Sequence, residues 1–387
     1  MRKILFTGVS LCALALAAPA FAAAGGQAAN DDSATITQTS ETNGYASQNQ
    51  PGQFGGSPTG NTATITQSGG TSDVAVQQQA RDGGTYDLAA EGTQTITQTT
   101  NTSAQASQED DSNYAKQNIT QTSNTPYGST NTSTTQTINA AWGFSNQQNA
   151  TQQNNSGATI TQTIGLTAPE TNTSTSGSNT QTASQTYNTA STILQTVDGD
   201  TSSGNTQTAT QYDGVSNASV QNTSGNNNTQ SSDTENGSGN IIAQNQGASS
   251  SDDSQTASVT NGSNYNQINQ TQGASSVGNN QTASVMNGST SNLIEQTQGA
   301  SSVTNTQIAS VNGGTSGAIL QYQDNGVTGG LQTAYQTDGS NNQIGQYQGN
   351  SLNVAYVSQT GGSGNIALQN QGGTYYTAAP GGTVEPR

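Results

Sequence analysis

The chain has 387 residues, a net charge of −17 and 28% hydrophobic residues, and about half of it is Ser, Thr, Asn and Gln. A chain with so few apolar residues cannot bury enough apolar surface to offset the conformational entropy lost when a globular core forms. We therefore expect either a disordered polar chain or a repeat array whose polar side chains form ladders. Histidine is absent, cysteine occurs once and only five residues are Lys or Arg, so we expect no enzymatic activity, no metal or cofactor site and no binding to nucleic acid.

The N-terminus has the parts of a secretory signal peptide. Two basic residues at 2–3 precede an apolar stretch over 4–18, and Ala-Phe-Ala at 20–22 is a small-x-small cleavage site. The apolar stretch is shorter than the about 20 residues that span a membrane. We therefore expect 1–22 to be removed, together with Cys12, and the mature chain to be secreted without membrane insertion or disulfides.

Strand-like segments follow at irregular intervals. Residues 61–67 read NTATITQ, an alternation that sends side chains to opposite faces of a strand, and the intervals range from about 23 to above 30 residues. The inward residues predicted for this segment are Asn61, Ala63, Ile65 and Gln67. We predict a short N-terminal segment over 23–33 and irregular repeats with longer loops over 34–236.

The second half of the chain contains a more regular repeat. Its marker is a pair of glutamines two residues apart, and successive pairs begin 26, 26, 25, 25 and 23 residues apart. Each unit has two alternating pieces separated by turns rich in Gly, Asn and Ser, which predicts a strand-turn-strand unit. We predict regular repeats over 237–372 and a C-terminal tail over 373–387.

One parity of each piece keeps its residue types from unit to unit while the other varies, so the constant parity is predicted to face the interior. In the first strand of the unit the inward residues are Ser238, Asn240, Ile242, Gln244 and Gln246; Ile268, Gln270 and Gln272; Asn292, Ile294, Gln296 and Gln298; Ile319 and Gln321; Ser340, Asn342, Ile344 and Gln346; and Gln369. In the second strand they are Gln255, Ala257 and Val259; Gln281, Ala283 and Val285; and Asn353, Ala355 and Gln359. The same parity also places Asn261 and Asn287 inward.

Inward amides are costly to bury without hydrogen-bond partners. When like residues stack at the strand spacing, each amide can bond the amide above and the amide below, as in the Asn and Gln ladders of cross-β structures. We therefore predict an all-β fold, a repeat β-solenoid or cross-β stack of strand-turn-strand rungs of about 23 to 26 residues, with room for about 14 rungs.

The unit resembles the curlin repeat. Ser340 is followed six residues later by Gln346, then by Gln348-Gly349-Asn350, and then by Asn353-x-Ala355-x-x-x-Gln359. Partial matches occur at 238–244, 363–369 and 61–67. The resemblance implies a secreted structural subunit of an extracellular, curli-like amyloid fibre in a biofilm matrix, with cell-surface adhesion and aggregation as its roles. It implies the chain itself as partner, together with a nucleator subunit and an outer-membrane secretion channel.

Two other functions fit the same fold. The solenoid could be a capped monomer that serves as an adhesin stalk. It could also be an ice-binding module, because the outward parity of NTATITQ presents Thr62, Thr64 and Thr66, and Thr256 and Thr260 have the same parity. Threonine has a high β-propensity and also suits an ordinary solvated sheet face.

Adjacent carboxylates are the remaining candidates for chemistry. Asp31-Asp32, Asp110-Asp111 and Asp252-Asp253 could act as acid and base or bind calcium. We interpret them as solvated turn residues that keep the chain soluble through like-charge repulsion.

Overall fold

The structure is a computed structural model that describes twelve stretches of the chain. These are residues 24–25, 33–49, 62–79, 92–110, 115–122, 129–130, 132–139, 145–165, 177–198, 202–372, 377–378 and 384–385. The predicted signal peptide over 1–22, Asn61 and most of the predicted tail over 373–387 lie outside the described residues.

All regular elements of these stretches are β-strands, and no helix occurs in them. Many of the strands are rich in Thr, Ile and Val, whose branched side chains suit a pleated sheet. In chain order the strands are β1 (Ala24–Gly25), β2 (Ser33–Thr39), β3 (Tyr45–Asn49), β4 (Thr62–Ser68), β5 (Val74–Gln79), β6 (Thr93–Thr99), β7 (Asn101–Thr102), β8 (Gln105–Asp110), β9 (Lys116–Thr122), β10 (Ser129–Thr130), β11 (Ser133–Asn139), β12 (Gln147–Gln153), β13 (Thr159–Gly165), β14 (Thr180–Thr186), β15 (Thr192–Val197), β16 (Thr206–Tyr212), β17 (Ala218–Asn226), β18 (Thr229–Glu235), β19 (Ile241–Ser251), β20 (Ser254–Val259), β21 (Gln267–Gln272), β22 (Asn280–Met286), β23 (Leu293–Gln298), β24 (Thr306–Asn312), β25 (Ala318–Gln323), β26 (Leu331–Thr337), β27 (Gln343–Gln348), β28 (Val354–Thr360), β29 (Ile366–Gln371), β30 (Thr377–Ala378) and β31 (Val384–Glu385).

The chain alternates between two parallel sheets. Sheet 1 has fourteen strands in the order β1-β3-β5-β8-β11-β13-β15-β17-β19-β21-β23-β25-β27-β29, and sheet 2 has thirteen in the order β2-β4-β6-β9-β12-β14-β16-β18-β20-β22-β24-β26-β28. The pairs β7–β10 and β30–β31 form two small separate sheets. Because every strand of a large sheet pairs with its equivalent one repeat away, the fold is a β-solenoid, and the predicted fold class is confirmed.

We call one sheet 2 strand and the sheet 1 strand that follows it a rung, so that rung 1 is β2 with β3 and rung 13 is β28 with β29. The stacking is in register: Gln255 pairs with Gln281, and Gln281 pairs with Gln307. Steps between rungs are as long as 33 residues in the first half and 26 or fewer in the second. Residues with equal roles therefore lie above one another at the strand spacing of about 4.8 Å.

The strands of a rung are joined by turns that use left-handed backbone conformations. Between β20 and β21, φ is 57° at Asn261, 73° at Gly262 and 55° at Tyr265. Gly and Asn tolerate this region best, which explains their abundance in the turns. The left-handed residue also ends the strand alternation. Asn261 and Asn287 are exposed, so the prediction that they face inward is wrong.

The interior pairs a bulky side chain with a small one in most rungs. In rung 2, Ile65 of sheet 2 packs in the same cluster as Ala75 of sheet 1. In rung 6 the order is reversed, since Ala183 lies in sheet 2 and Ile193 in sheet 1. Either order fills the same distance between the sheets, as close packing requires.

Rungs 7 and 8 interrupt the aliphatic part of the core. One cluster of buried aliphatic residues ends at Ala209, and the next begins at Ile242. Between them, Ser219 and Ser232 share a buried hydrogen bond, and the hydroxyl of Thr234 is buried without a partner. These two rungs bury less apolar surface than their neighbours, so we expect them to be the least stable part of the inner stack.

Candidate functional site: amide ladders and end rungs

A continuous column of glutamines runs through sheet 1 from rung 1 to rung 13. Each Nε2 donates to the Oε1 of the glutamine in the following rung, at 2.7 to 3.3 Å. The members are Gln48, Gln77, Gln108, Gln136, Gln162, Gln195, Gln221, Gln244, Gln270, Gln296, Gln321, Gln346 and Gln369. All the donors point toward the C-terminal end, so the column has a direction.

The second N–H of these amides is satisfied across the core. Gln244 Nε2 donates to the carbonyl of Ser231 at 2.9 Å as well as to Gln270 Oε1 at 2.9 Å, and Gln244 Oε1 accepts from Gln221 at 2.9 Å. Both N–H groups and the oxygen are therefore used. This pattern makes a polar interior possible, because a buried amide is costly only where its groups lack partners.

Sheet 2 carries a second ladder that stops before both ends. Its amide bonds are 2.8 to 2.9 Å long. The members are Gln94, Gln117, Gln148, Gln181, Gln207, Gln230, Gln255, Gln281, Gln307 and Gln332. In the same column Ala34 and Ala63 precede the ladder, and Ala355 follows it.

Asparagines at the start of the strands form shorter ladders. The Oδ1 atoms of Asn217, Asn240 and Asn266 accept from the backbone N–H and side-chain amide of the asparagine in the next rung, at 2.9 to 3.3 Å. Asn292 ends this series, and its Oδ1 accepts from the backbone of Gly317 at 2.7 Å. These hydrogen bonds connect the turn of one rung to the turn of the next.

Most of the predicted ladder residues are buried in the structure. Except for Asn61, which is outside the described residues, only five are not: Ser238, Ser340, Asn353, Gln359 and Gln369. Ser238 and Ser340 lie in turns, outside the strands, so placing them in the interior was wrong. The other three are half-buried, because Gln359 and Gln369 belong to rung 13, Asn353 directly precedes it, and no described strand lies beyond that rung.

Two of the carboxylates interpreted as solvated are in fact buried. Asp110 is fully buried, and Asp253 is 1% exposed. Asp253 occupies an asparagine column: its backbone N–H donates to Asn228 Oδ1, and its Oδ1 accepts from the N–H of Asn279 at 2.8 Å. Burial raises the pKa of this carboxyl, although hydrogen bonds from Ser276 and Asn279 lower it in part. Sequence alone misses the position, because an acid among turn residues normally faces solvent.

Two further buried carboxyls lie in the turns near the N-terminal end. Glu41 Oε1 accepts from the N–H of Gly70 and Asp73 Oδ1 from the N–H of Ala104, both at 3.0 Å, while their second oxygens are buried without a hydrogen bond. Burial raises the pKa of Glu41 from 4.5 to about 7 and that of Asp73 from 3.8 to about 6. Both carboxyls therefore titrate near neutral pH.

The two ends of the stack expose inward positions. At the N-terminal end Ala34 is exposed, whereas Ala63 one rung further in is 1% exposed. At the C-terminal end Gln369 is half-buried, whereas Gln346 is fully buried. Among the described strands β2, β28 and β29 have no outer neighbour, and β3 pairs on its outer side with the two residues of β1 only. Open parallel edges of this kind are templates for further strands.

Two comparisons with known proteins give no match. A scan against protein-family models matches no family, and a search of the curated proteins finds no similar sequence. Within the described residues, no group of three or more acidic, His or Cys side chains could hold a metal ion. No helix in that part of the chain has the length and apolar character needed to cross a membrane.

Proposed function

We propose that this protein is the structural subunit of an extracellular, curli-like fibre, and that copies assemble by stacking their rungs. The observation that carries the proposal is the uninterrupted glutamine column of sheet 1, which reaches both ends of the stack. An amide column that ends in an exposed rung leaves hydrogen-bonding groups that another copy can satisfy. The curlin-like repeat and the predicted signal peptide support secretion to the cell surface, with a nucleator and an outer-membrane channel as partners.

Assembly by purified protein tests the proposal. We expect thioflavin-positive, unbranched fibres in electron micrographs. Ile294 is fully buried and its neighbour Glu295 is exposed, which provides a matched pair of charge variants. Ile294→Lys should abolish or greatly slow fibre formation, because it buries an unpaired charge, whereas Glu295→Lys should not. Equal slowing by both variants, or a wild-type protein that remains monomeric, would refute the proposal.

An ice-binding module is the second candidate, and the outward face of sheet 2 favours it. Thr37, Thr66, Thr97, Thr120 and Thr151 lie in one in-register outward column. Such a column presents hydroxyls at a regular spacing of about 4.8 Å. Thermal hysteresis by the monomer, together with a lack of fibres, would support this function instead.

A further inference from the structure

We propose that the two ends of the molecule are complementary, so that rung 13 of one copy seats on rung 1 of the next in a head-to-tail, in-register joint. This inference rests on the proposed function and specifies its partner as a second copy of this chain. It also specifies which strands meet: β28 pairs with β2 of the next copy, and β29 pairs with β3.

The inward residues of the two end rungs match in sheet 2. Strand β2 has Ala34, Ile36 and Gln38 inward, and β28 has the equivalent set Ala355, Val357 and Gln359. The strand on which β28 stacks within its own chain is β26, with the different set Gln332, Ala334 and Gln336. The last strand thus departs from its own neighbour and agrees with the far end of the molecule.

Sheet 1 shows the same agreement. Its first inward position is Ala46 in β3 and Ala367 in β29, whereas β27 has Ile344 there. The second is Gln48 in β3 and Gln369 in β29. In the joint, Ala367 therefore lies over Ala46 and Gln369 over Gln48. Side chains of matching size and amides stacked on amides are also what pack and bond successive rungs inside the chain.

The direction of the glutamine column selects head-to-tail contact. Every Nε2 of the column donates toward the C-terminal end, so the half-buried Gln369 has an N–H that faces outward there. At the N-terminal end the Oε1 of Gln48 is the matching acceptor; Gln48 is 3% exposed and pairs with Gly25 of β1, so it becomes accessible when β1 is displaced. Seating rung 13 on rung 1 brings donor to acceptor. Joining two like ends would bring donor to donor or acceptor to acceptor, and would also turn the strands antiparallel.

Apolar exposure and charge also favour burial of the ends. Twelve large hydrophobic residues of the described chain are exposed, and six of them are in or next to the two end rungs: Tyr45, Leu352, Val354, Tyr356, Ile366 and Leu368. Strands β2, β3, β28 and β29 contain no charged residue. A chain with a net charge of −17 therefore brings no like charges into direct contact at the joint.

Strand β1 occupies part of the place that β29 of the other copy would take. Its residues, Ala24 and Gly25, pair with Ser47 and Gln48 only. Strand β29 of the other copy has six residues and continues the amide column, so it pairs with more of β3 than β1 does. We therefore infer that β1 is displaced as the joint forms. Gly25→Pro, which removes a backbone donor from β1, should therefore shorten the lag before assembly. An unchanged lag would show that β1 does not hold the edge.

Cysteine cross-linking tests the joint. Thr37 and Ser358 are exposed outward residues of the same column, one in each end rung, so the joint places their Cα atoms about 4.8 Å apart, within disulfide range. In the mature chain, from which Cys12 is expected to be removed, mild oxidation during assembly should link Thr37→Cys chains to Ser358→Cys chains only when the two variants are mixed. The control for register uses Thr35→Cys in place of Thr37→Cys. Thr35 also faces outward but lies two residues earlier in β2, so it should form at least ten-fold less disulfide with Ser358→Cys.

The outcomes separate the joint from the proposed function. Fibres that form without the mixed disulfide would overturn the joint and leave the fibre function standing. Disulfides between two Thr37→Cys chains or two Ser358→Cys chains would overturn its head-to-tail direction, and equal linking with Thr35→Cys would overturn its register. If neither variant nor the parent forms fibres, the proposed function and the joint fail together.

Discussion

Replacing one glutamine of the central ladder should loosen the rungs around it far more than replacing the exposed amide beside it. Gln244 is 2% exposed and makes three side-chain hydrogen bonds, to Gln221, Gln270 and the carbonyl of Ser231. Asn245 is the next residue, is exposed, and has a 3.5 Å contact with Asn222 as its amide interaction. The pair Gln244→Leu and Asn245→Leu therefore compares the same chemical change inside and outside the stack.

The magnitude follows from the groups left without partners. Gln244→Leu removes the acceptor of one Gln221 N–H and the donor to Gln270 Oε1, and each orphaned buried group costs about 1 to 3 kcal/mol. Burying Leu offsets about 1.5 to 3 kcal/mol of this loss. We expect a net loss of about 2 kcal/mol in the local stability of rungs 7 to 9, and less than about 0.5 kcal/mol for Asn245→Leu.

Hydrogen exchange read by mass spectrometry is the suitable assay, because a repeat array need not unfold in one step. A loss of about 2 kcal/mol corresponds to exchange about thirty-fold faster in β17, β19 and β21. Exchange in the distant β25 and β27 should be unchanged and provides an internal control. Equal effects of the two substitutions would refute the claim that the amide column stabilises the stack.

Three other substitutions test the buried polar groups. Asp253→Asn restores an asparagine column and removes a buried carboxylate. Chemical denaturation at pH 8 should therefore show a gain in stability on the order of 1 kcal/mol. The substitution Asp252→Asn, at the exposed neighbouring position, should give no such gain. Thr234→Val removes a buried hydroxyl that has no hydrogen-bond partner and places a valine next to Val259 of the neighbouring rung. It should stabilise rung 8 by about 1 kcal/mol. A loss of stability, or an equal gain from the substitution Thr256→Val at an exposed position, would contradict this. Because burial raises the pKa of Glu41 from 4.5 to about 7 and of Asp73 from 3.8 to about 6, the folded state binds more protons than the unfolded state between those values, and stability should rise as pH falls from 8 to 5. Thermal unfolding at the two pH values should show this rise, Glu41→Gln should reduce it, and Glu295→Gln should leave it unchanged.

The regular half of the fold is predictable because its repeat preserves spacing as well as residue type. Gln244, Gln270 and Gln296 recur at a constant step, and period-two alternation then identifies their inward neighbours. The alternation fails at Asn261 because a left-handed turn residue reverses the side-chain direction there. It also fails at Ser238, which belongs to a turn and not to a strand.

Features that depend on contacts across the stack are not visible in one repeat. Rung 2 has the large residue in sheet 2 and the small one in sheet 1, as Ile65 and Ala75, whereas rung 6 has the reverse, as Ala183 and Ile193. The combined side-chain volume between the sheets is kept, but this is visible only when both strands of a rung are compared. Asp253 resembles a solvated turn acid until its column of asparagines is known. The agreement between β2 and β28 likewise emerges only when residues more than 300 positions apart are placed in one register.

Fibre diffraction from the assembled protein tests the stacking account most directly. If copies join end to end through their rungs, oriented fibres should give a meridional reflection at about 4.7 to 4.8 Å, because the strand spacing then runs along the fibre axis without interruption. A sharp reflection at this spacing on the equator would contradict the account, since the molecules would then lie across the fibre. Lasting monomeric solubility under the same conditions would contradict it as well.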